Sequence, residues 1–352
     1  CFKYGNRLPN DELLKYCEKI FYYPRKITPL SIRLLFDPKP FIVTTRIHKA
    51  LENNLLQDDF PILCEGLHTC GLIPKLKKAN PRRIFLLRMH NVEWKYYQDL
   101  ALLEKNIFKK LFFKIESYKL QIWEQNIIYF FKAIFCISET DKQYFDEKFS
   151  KISTQFLPPF HAVTEGGNAQ NFSFKNAEKI ILFHAKLSVS DNAKAAIFLI
   201  ENIFKYIKNP CIIAGMNPPA ELLKLVLNYK HIKIMVNPAE NEMNALLKSC
   251  SIHVLWTFQN AGMKLKLLNA LFSAPFVITN SMMVEGSGLE KFCHICDTPK
   301  TVIETINKIN LSTYQGNSEF ENNLLERFNF LEKYFSNHQN ALLIKKNLDN
   351  EL

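Results

Sequence analysis

Between Pro81 and Pro158 the chain contains neither proline nor glycine, and its apolar residues fall into two alternating rhythms. RRIFLLRM (82–89) is a short apolar run and predicts a buried strand. From about Val92 to Phe131 residues such as Leu111, Ile115, Ile122 and Ile127 recur near a 3.6-residue period, which predicts one long helix. AIFCIS (133–138) predicts another strand, and ETDKQYFDEKF a helix with Ser138 as its N-cap. The interval closes at FLPPF (156–160), with Gly166–Gly167 soon after. Prolines and glycines packed that closely make the best linker candidate in the chain.

Beyond the linker the alternation is regular. The strands are KIILFH (179–184), CIIA (211–214), IKIMV (232–236), IHVLW (252–256) and PFVIT (275–279). Helices are expected over 192–207, from Pro218, after Asn237–Pro238 and from about Gly262, and a last short strand and helix lie around 293–310. Strands of four to six apolar residues alternating with helices predict βαβ units and a parallel sheet buried on both faces. KIFYY, FIVTT, PILCE, IFLLR and AIFCI repeat the rhythm less cleanly in the first half. The polar C-terminal stretch 320–352 reads as helical, with Phe328, Leu331, Phe335 and Leu342 on one buried face. The pattern thus predicts an α/β chain of two doubly wound, Rossmann-like domains facing across a cleft. Residues 1–157 are expected to form the N-terminal domain and 158–335 the C-terminal one, and a helix over 336–352 either crosses back to the first domain or finishes the second. Ligands of such sheets bind outside the carboxyl ends of the strands.

Composition narrows the class. At 352 residues the chain is long enough for two cores. Its longest apolar stretch, IIYFFKAIFCI (127–137), is too short to span a bilayer and carries Lys132. No secretory signal pattern opens the sequence, which begins at Cys1. Lysine and arginine exceed the acids by 45 − 34 = 11, yet no block of five basic residues and no nucleic-acid-binding motif occurs. The excess either coats solvated faces or favours an anionic partner. Nine cysteines, an odd number set mostly in apolar runs, read as reduced and cytoplasmic. Cys293 and Cys296 form a lone CxxC, which cannot complete a tetrahedral zinc site.

Candidate chemistry collects at strand ends. Gly215, Gly262, Gly286 and Gly288 all follow second-half strands, where a glycine lets backbone approach a ligand. NAGMKLKLLNAL (260–271) opens a helix with Lys264 and Lys266 in its first turn. Cations there oppose the helix dipole, and a bound phosphate would resolve the conflict. An ordinary helix with solvated lysines is the competing explanation.

These residues carry a resemblance. NAGMKLKLLNALFSAPFVIT (260–279) resembles the donor-binding segment of retaining nucleotide-sugar glycosyltransferases with the GT-B fold. LLRMHNVEWKYYQDLALLE (86–104) is similar to their first-domain motif, in which His-Asn precedes a long helix. ILCEGLHTCGLI (62–73), FHAKLSVSDNAKAA (183–196) and IIAGMNPP (212–219) fit the same bacterial, Bacteroidetes-like clade. Three departures stand out. The family's two glutamates around the donor helix are Ala261 and Asn269 here, and Ala185 stands where relatives carry glycine. The chain also opens at CFKYGNR, similar to the end of the family's second strand, so the resemblance implies a version lacking the first strand, loop and helix, with unpaired groups facing a gap in the sheet.

The resemblance implies transfer of a sugar from a nucleotide-diphosphate donor to a glycan or lipid-linked acceptor, with retention at the anomeric carbon. The acceptor hydroxyl attacks on the face the diphosphate leaves, and the protein positions the substrates and stabilises the leaving charge. Lys186, Lys264 or Lys266, Gly215, and the Gly262 and Met263 amides are the implied donor contacts, and Asn269 is implied to accept from the ribose hydroxyls. His90 is the implied catalytic residue, and Glu65 and His68 are acceptor-side candidates. Glu93 reads as a helix-start residue. No Asp-x-Asp motif occurs, so neither a metal nor a resident cofactor is expected, the nucleotide sugar being a co-substrate. The second reading is a degenerate, non-catalytic binding or scaffold protein in glycan assembly. Nucleic acid is not an expected partner. Lys105, Lys109, Lys110, Lys114 and Lys119, interleaved with aromatics, suit either a core helix or peripheral contact with an anionic inner membrane.

Overall fold

The computed structural model describes residues 1–3, 11–25, 35–160, 179–258, 265–312, 314 and 316–349. It divides into two compact units, Cys1–Leu157 with Lys345–Leu352, and Pro158–Ile344. In the first unit the elements are β1 (Phe2–Lys3), β2 (Tyr23–Pro24), α1 (Phe41–Thr44), α2 (Lys49–Leu55), β3 (Ile62–Glu65), α3 (Ile73–Ala79), β4 (Phe85–Met89), α4 (Glu93–Leu103), α5 (Ile107–Ile127), β5 (Ala133–Cys136), α6 (Glu139–Lys148) and β6 (Ser153–Phe156). In the second they are β7 (Ile181–His184), α7 (Ser190–Asn202), β8 (Cys211–Gly215), α8 (Ala220–Val226), β9 (Ile232–Val236), α9 (Glu240–Ser249), β10 (Ile252–Leu255), α10 (Leu265–Ser273), β11 (Phe276–Thr279), α11 (Ser281–Val284), β12 (His294–Ile295), α12 (Pro299–Leu311) and α13 (Ser318–Phe335). The last helix, α14 (Asn337–Asp349), begins in the second unit and ends in the first.

The second unit holds one parallel six-stranded sheet in the order β12-β11-β10-β7-β8-β9. Every residue of β7, β10 and β11 is buried, the pattern of strands covered by helices on both faces. Phe183, Ile213, Val254 and Ile278 pack with Leu199, Phe204 and Ile306 in its core. The strand order reverses between β7 and β10: the chain builds outward from β7 through β8 to β9, then returns to lay β10 on the other side. The first unit holds a parallel four-stranded sheet, β3-β4-β5-β6, and a separate parallel pair, β1 and β2. Phe85, Leu87, Ile134, Phe145 and Leu120 form part of its core.

Four local readings differ from the sequence expectation. FIVTT is not a strand: Pro40 starts a single helical turn, α1, and the distant Glu116 carboxylate accepts from the Phe41 N–H at 2.6 Å. KIFYY contributes only Tyr23 to a strand. The helix read over 92–131 is two, because the Asn106 side chain accepts from the Phe108 and Lys109 amides and starts a fresh helix there. On the C-terminal face Phe328, Leu331 and Phe335 are buried, but Leu342 is exposed, since it belongs to α14 and not to α13. Ser138 caps α6, accepting from the Asp141 amide at 3.1 Å. On α14, Asn347 exchanges two amide hydrogen bonds with Gln155, at 2.8 and 3.0 Å. All nine cysteines are unpaired.

Candidate functional site

In a doubly wound sheet the loops diverge at the strand-order reversal and leave a crevice above the carboxyl ends. In the second unit a pocket of about 290 Å³ lies there, lined by Ala185, Lys186 and Val189 after β7, Asp191 and Asn192 at the start of α7, Thr257 after β10, and Leu265 and Lys266 on α10. Its walls are tied together across the sheet. The Thr257 hydroxyl donates to Asp191 Oδ2 at 3.0 Å, and Lys266 Nζ donates to Asn192 Oδ1 at 3.0 Å and to the Trp256 carbonyl at 3.4 Å. Asn280 at the end of β11 clamps the Thr257 backbone, accepting from its N–H and donating to its carbonyl. Lys266 is therefore half-buried and anchored, whereas Lys186 is exposed on the rim. Two ammonium groups and one carboxylate line the pocket, a balance that favours an anion.

Gly215 lies at the end of β8, buried against this loop. A Cβ there would come within 1.9 Å of the Ala185 carbonyl oxygen and 2.9 Å of the Leu187 side chain. The absent side chain lets the loop after β7 fold down over β8, where the Ala185 N–H donates to the Ala214 carbonyl at 3.1 Å. Gly215→Ala is expected to destabilise the protein by about 2–4 kcal/mol, because backbone cannot relax away as a flexible side chain would. A urea titration checks this, and an unchanged midpoint would show that the loop accommodates the methyl. Asn269 sits one turn further along α10, half-buried and outside the pocket lining. Gly262, Met263, Lys264 and Ala261 lie outside the described residues.

In the first unit β3 and β4 pair in parallel with Glu65 opposite Arg88, so their carboxyl ends deliver Glu65 and His90 side by side. His90 Nε2 lies 2.8 Å from Glu65 Oε2, and the Arg88 guanidinium 3.5 Å from the same oxygen. Burial alone would raise the Glu65 carboxyl, but the hydrogen bond from His90 and the charges of Arg88 and His90 outweigh it and hold it below the usual glutamate range. An ionised carboxylate only accepts, so the His90 proton sits on Nε2. The other ring nitrogen, Nδ1, takes no part in that bond.

His68 stands beside this pair on the 3-10 turn Leu67–Leu72. Gly66 sets its position: with φ +89 and a built Cβ 2.6 Å from the His68 ring, that place takes only glycine. Burial, then the charges of Arg46, His90 and Arg25, push His68 down to about 4, so it is neutral near pH 7. Its Nδ1 is buried without a hydrogen-bond partner. Glu93 is buried in the first turn of α4, and burial raises its carboxyl. Among the described residues no group of three or more His, Cys, Asp or Glu could hold a metal ion, and no helix is long and apolar enough to cross a membrane. Sequence reasoning missed Asp191, Asn192, Thr257, Asn280 and Arg88. An Asp-Asn step opening a helix was the available signal for the first two, and it reads equally well as ordinary helix-start chemistry.

No protein-family model matches the chain. An uncharacterized 44.6 kDa protein in the cps region of Klebsiella pneumoniae is 27% identical over 237 residues, 64% of this chain and 58% of that protein. The chain therefore matches less than two thirds of that curated relative's length. Among solved structures, the UDP-forming alpha,alpha-trehalose-phosphate synthase from Burkholderia xenovorans, in complex with glucose-6-phosphate, has TM-score 0.58 at 10% identity, covering 85% of this chain and 75% of that one. The alpha,alpha-trehalose 6-phosphate synthase from Burkholderia multivorans has TM-score 0.60 at 9% identity, over 92% and 77%. The E. coli structure bound with UDP-2-fluoro glucose has TM-score 0.58 at 10% identity, over 85% and 76%. At these identities the likeness is one of architecture: the chain has the GT-B fold, built of two Rossmann-like units, of these retaining glycosyltransferases.

Proposed function

We propose that the chain is a glycosyltransferase that moves a sugar from a nucleotide-diphosphate donor to a glycan or lipid-linked acceptor, with retention at the anomeric carbon and without a metal or resident cofactor. The carrying observation is the pocket at the strand-order reversal of the second unit, lined by Lys186 and Lys266. The GT-B fold supports the reading, as does the cps-region setting of the Klebsiella relative. Lys186 would meet the diphosphate directly, since its ammonium is exposed on the rim. Lys266 would add charge from the wall while holding α10 to α7. Gly262, Met263 and Lys264 would complete the donor site, with Asn269 toward the ribose. Gly215 would serve by letting the loop that carries Lys186 settle over β8. In the first unit Glu65 and His68 would face the acceptor, and His90 Nδ1 would accept a hydrogen bond from a substrate hydroxyl, orienting it for attack. The same reading assigns the protein to the cytoplasm.

Thermal shift and calorimetry of the full chain with uridine, guanosine, adenosine, cytidine and thymidine diphosphates test this. At least one is expected to raise the melting temperature. Lys186→Ala is expected to weaken that ligand about ten-fold, roughly 1.4 kcal/mol, while leaving the ligand-free melting temperature unchanged. No binding of any nucleoside diphosphate would overturn the proposal. Tight binding with neither transfer nor hydrolysis of the matching sugar nucleotides would favour a scaffold.

A further inference from the structure

Helix α5 leaves a continuous apolar stripe uncovered. Ile107, Leu111, Ile115, Tyr118 and Ile122 follow one another at intervals of four, four, three and four residues, and so lie on one face. Ile107 is 73% exposed, Leu111 56%, Tyr118 65%, and the neighbouring Phe108 81%. The core-helix reading holds for the opposite face, where Leu120 and Ile127 are buried, while Leu111, Ile115 and Ile122 lie outside the core. At 21 residues the helix is about 30 Å long, so the stripe is far larger than a stray surface side chain.

Charge on the helix is sorted between its faces. Its two acids, Glu116 and Glu124, are both buried and engaged inward. Glu116 accepts from the Phe41 N–H at 2.6 Å, and Glu124 accepts from the Tyr144 hydroxyl at 2.6 Å. The exposed side of α5 itself therefore carries no carboxylate, and Glu104, just before it, accepts from the Asn106 amide at 2.9 Å. Lys110 and Lys114 border the stripe, and Lys105 and Lys109 flank its N-terminal end beside Phe108. Long lysine stems can lie along apolar surface while their ammonium groups reach upward to anions.

We propose that this face of α5 lies in the interfacial plane of an anionic lipid bilayer, with Phe108 and Leu111 inserted below the headgroups and the lysines on lipid phosphates. Charge complementarity selects this occupant. Two copies of the face would oppose lysine to lysine with no carboxylate of α5 to answer them and only Glu104 at its start, whereas a bilayer of anionic lipid supplies the missing negative charge. The contact is independent of the donor pocket, and it would hold the first unit where a lipid-linked acceptor is found.

Co-sedimentation of the full chain with phosphatidylglycerol–phosphatidylcholine vesicles, against pure phosphatidylcholine, is the test. The protein is expected to pellet with the anionic vesicles, about ten-fold less with the neutral ones, and less as salt rises. Phe108→Ser with Leu111→Ser, and separately Lys110→Glu with Lys114→Glu, are each expected to cut binding about ten-fold or more. Phe108, Leu111 and Lys114 are exposed and Lys110 is half-buried, so the melting temperature of the serine variant and any nucleoside-diphosphate affinity of either variant should stay as in the parent, which separates this result from a failure of the donor site. Failure of the parent to pellet with anionic vesicles, or unchanged pelleting of the serine variant, would overturn the proposal. So would a dimer, seen by light scattering, that the serine variant dissociates, because the face would then belong to a second copy.

Discussion

Replacing Glu65 by glutamine is expected to lower kcat/KM for sugar transfer about 100-fold, although the two side chains have the same shape. The carboxylate accepts from His90 Nε2 at 2.8 Å and so fixes the proton there, leaving Nδ1 as the ring's acceptor, the atom proposed to meet a substrate hydroxyl. A glutamine amide can instead donate to Nε2. The ring proton then moves to Nδ1, and the group that should accept becomes a donor. His90→Ala is expected to lose at least as much, in the range usual for removing one positioned acid–base or orienting group. Glu65→Gln should leave nucleoside-diphosphate binding intact, since Glu65 and the pocket proposed to hold the donor belong to different units. Steady-state kinetics with calorimetry on the same protein checks both statements. Full activity in the glutamine variant would show that the carboxylate does not set the ring's proton, and full activity in His90→Ala would remove His90 from the reaction. Glu65 is held below the ordinary glutamate range, so loss of activity from its own protonation belongs to still lower pH.

The second unit was far more legible in the sequence than the first, for a physical reason. A central parallel strand is covered on both faces, so ILFH, IHVL and FVIT read as uninterrupted apolar runs between helices. The short turn FIVTT carries the same composition but is helical, because its first N–H is met by Glu116, 75 residues away. No local window contains that partner. The break between α4 and α5 was in principle readable, since Asn106 is a good N-cap, but the apolar period runs through it and hid the signal. The exposed face of α5 was not readable: period alone marks a stripe without saying whether anything covers it. At the pocket of the second unit Lys186 and Lys266 were visible as cations at strand and helix ends. Asp191 and Thr257 gain meaning only through a hydrogen bond across 66 residues. Gly215 was legible as a position where backbone must come close, but what approaches it is the Ala185 carbonyl.

Mild acid is expected to unfold the second unit, and the cause lies in two histidines beside the pocket. His184 at the end of β7 and His253 on the adjacent β10 are both buried, with ring centroids 5.6 Å apart. Burial, and then the charge of Lys266, push His184 down to about 3 from an ordinary 6.5. Burial and the neighbouring His184 carry His253 well below its ordinary value, against a weaker upward pull from the Leu247 carbonyl. Above 6.5 both rings are neutral in either state and pH has no effect through them. Below it the unfolded chain binds protons that the native rings refuse, so stability falls with pH at roughly 1.4 kcal/mol per unit for each ring. Two units of acid remove on the order of 5 kcal/mol, comparable to the whole stability of many domains. Calorimetric melting temperatures from neutral pH down to about 4.5 should therefore stay level at first and then drop steeply below about 6.5. His184→Leu discards one titrating ring whose Nε2 has no hydrogen-bond partner, and should halve the slope without lowering the neutral-pH melting temperature by much. A flat profile across this window, or an unchanged slope in the leucine variant, would show that these rings are protonated in the native fold, and that water or an anion reaches them through the pocket above.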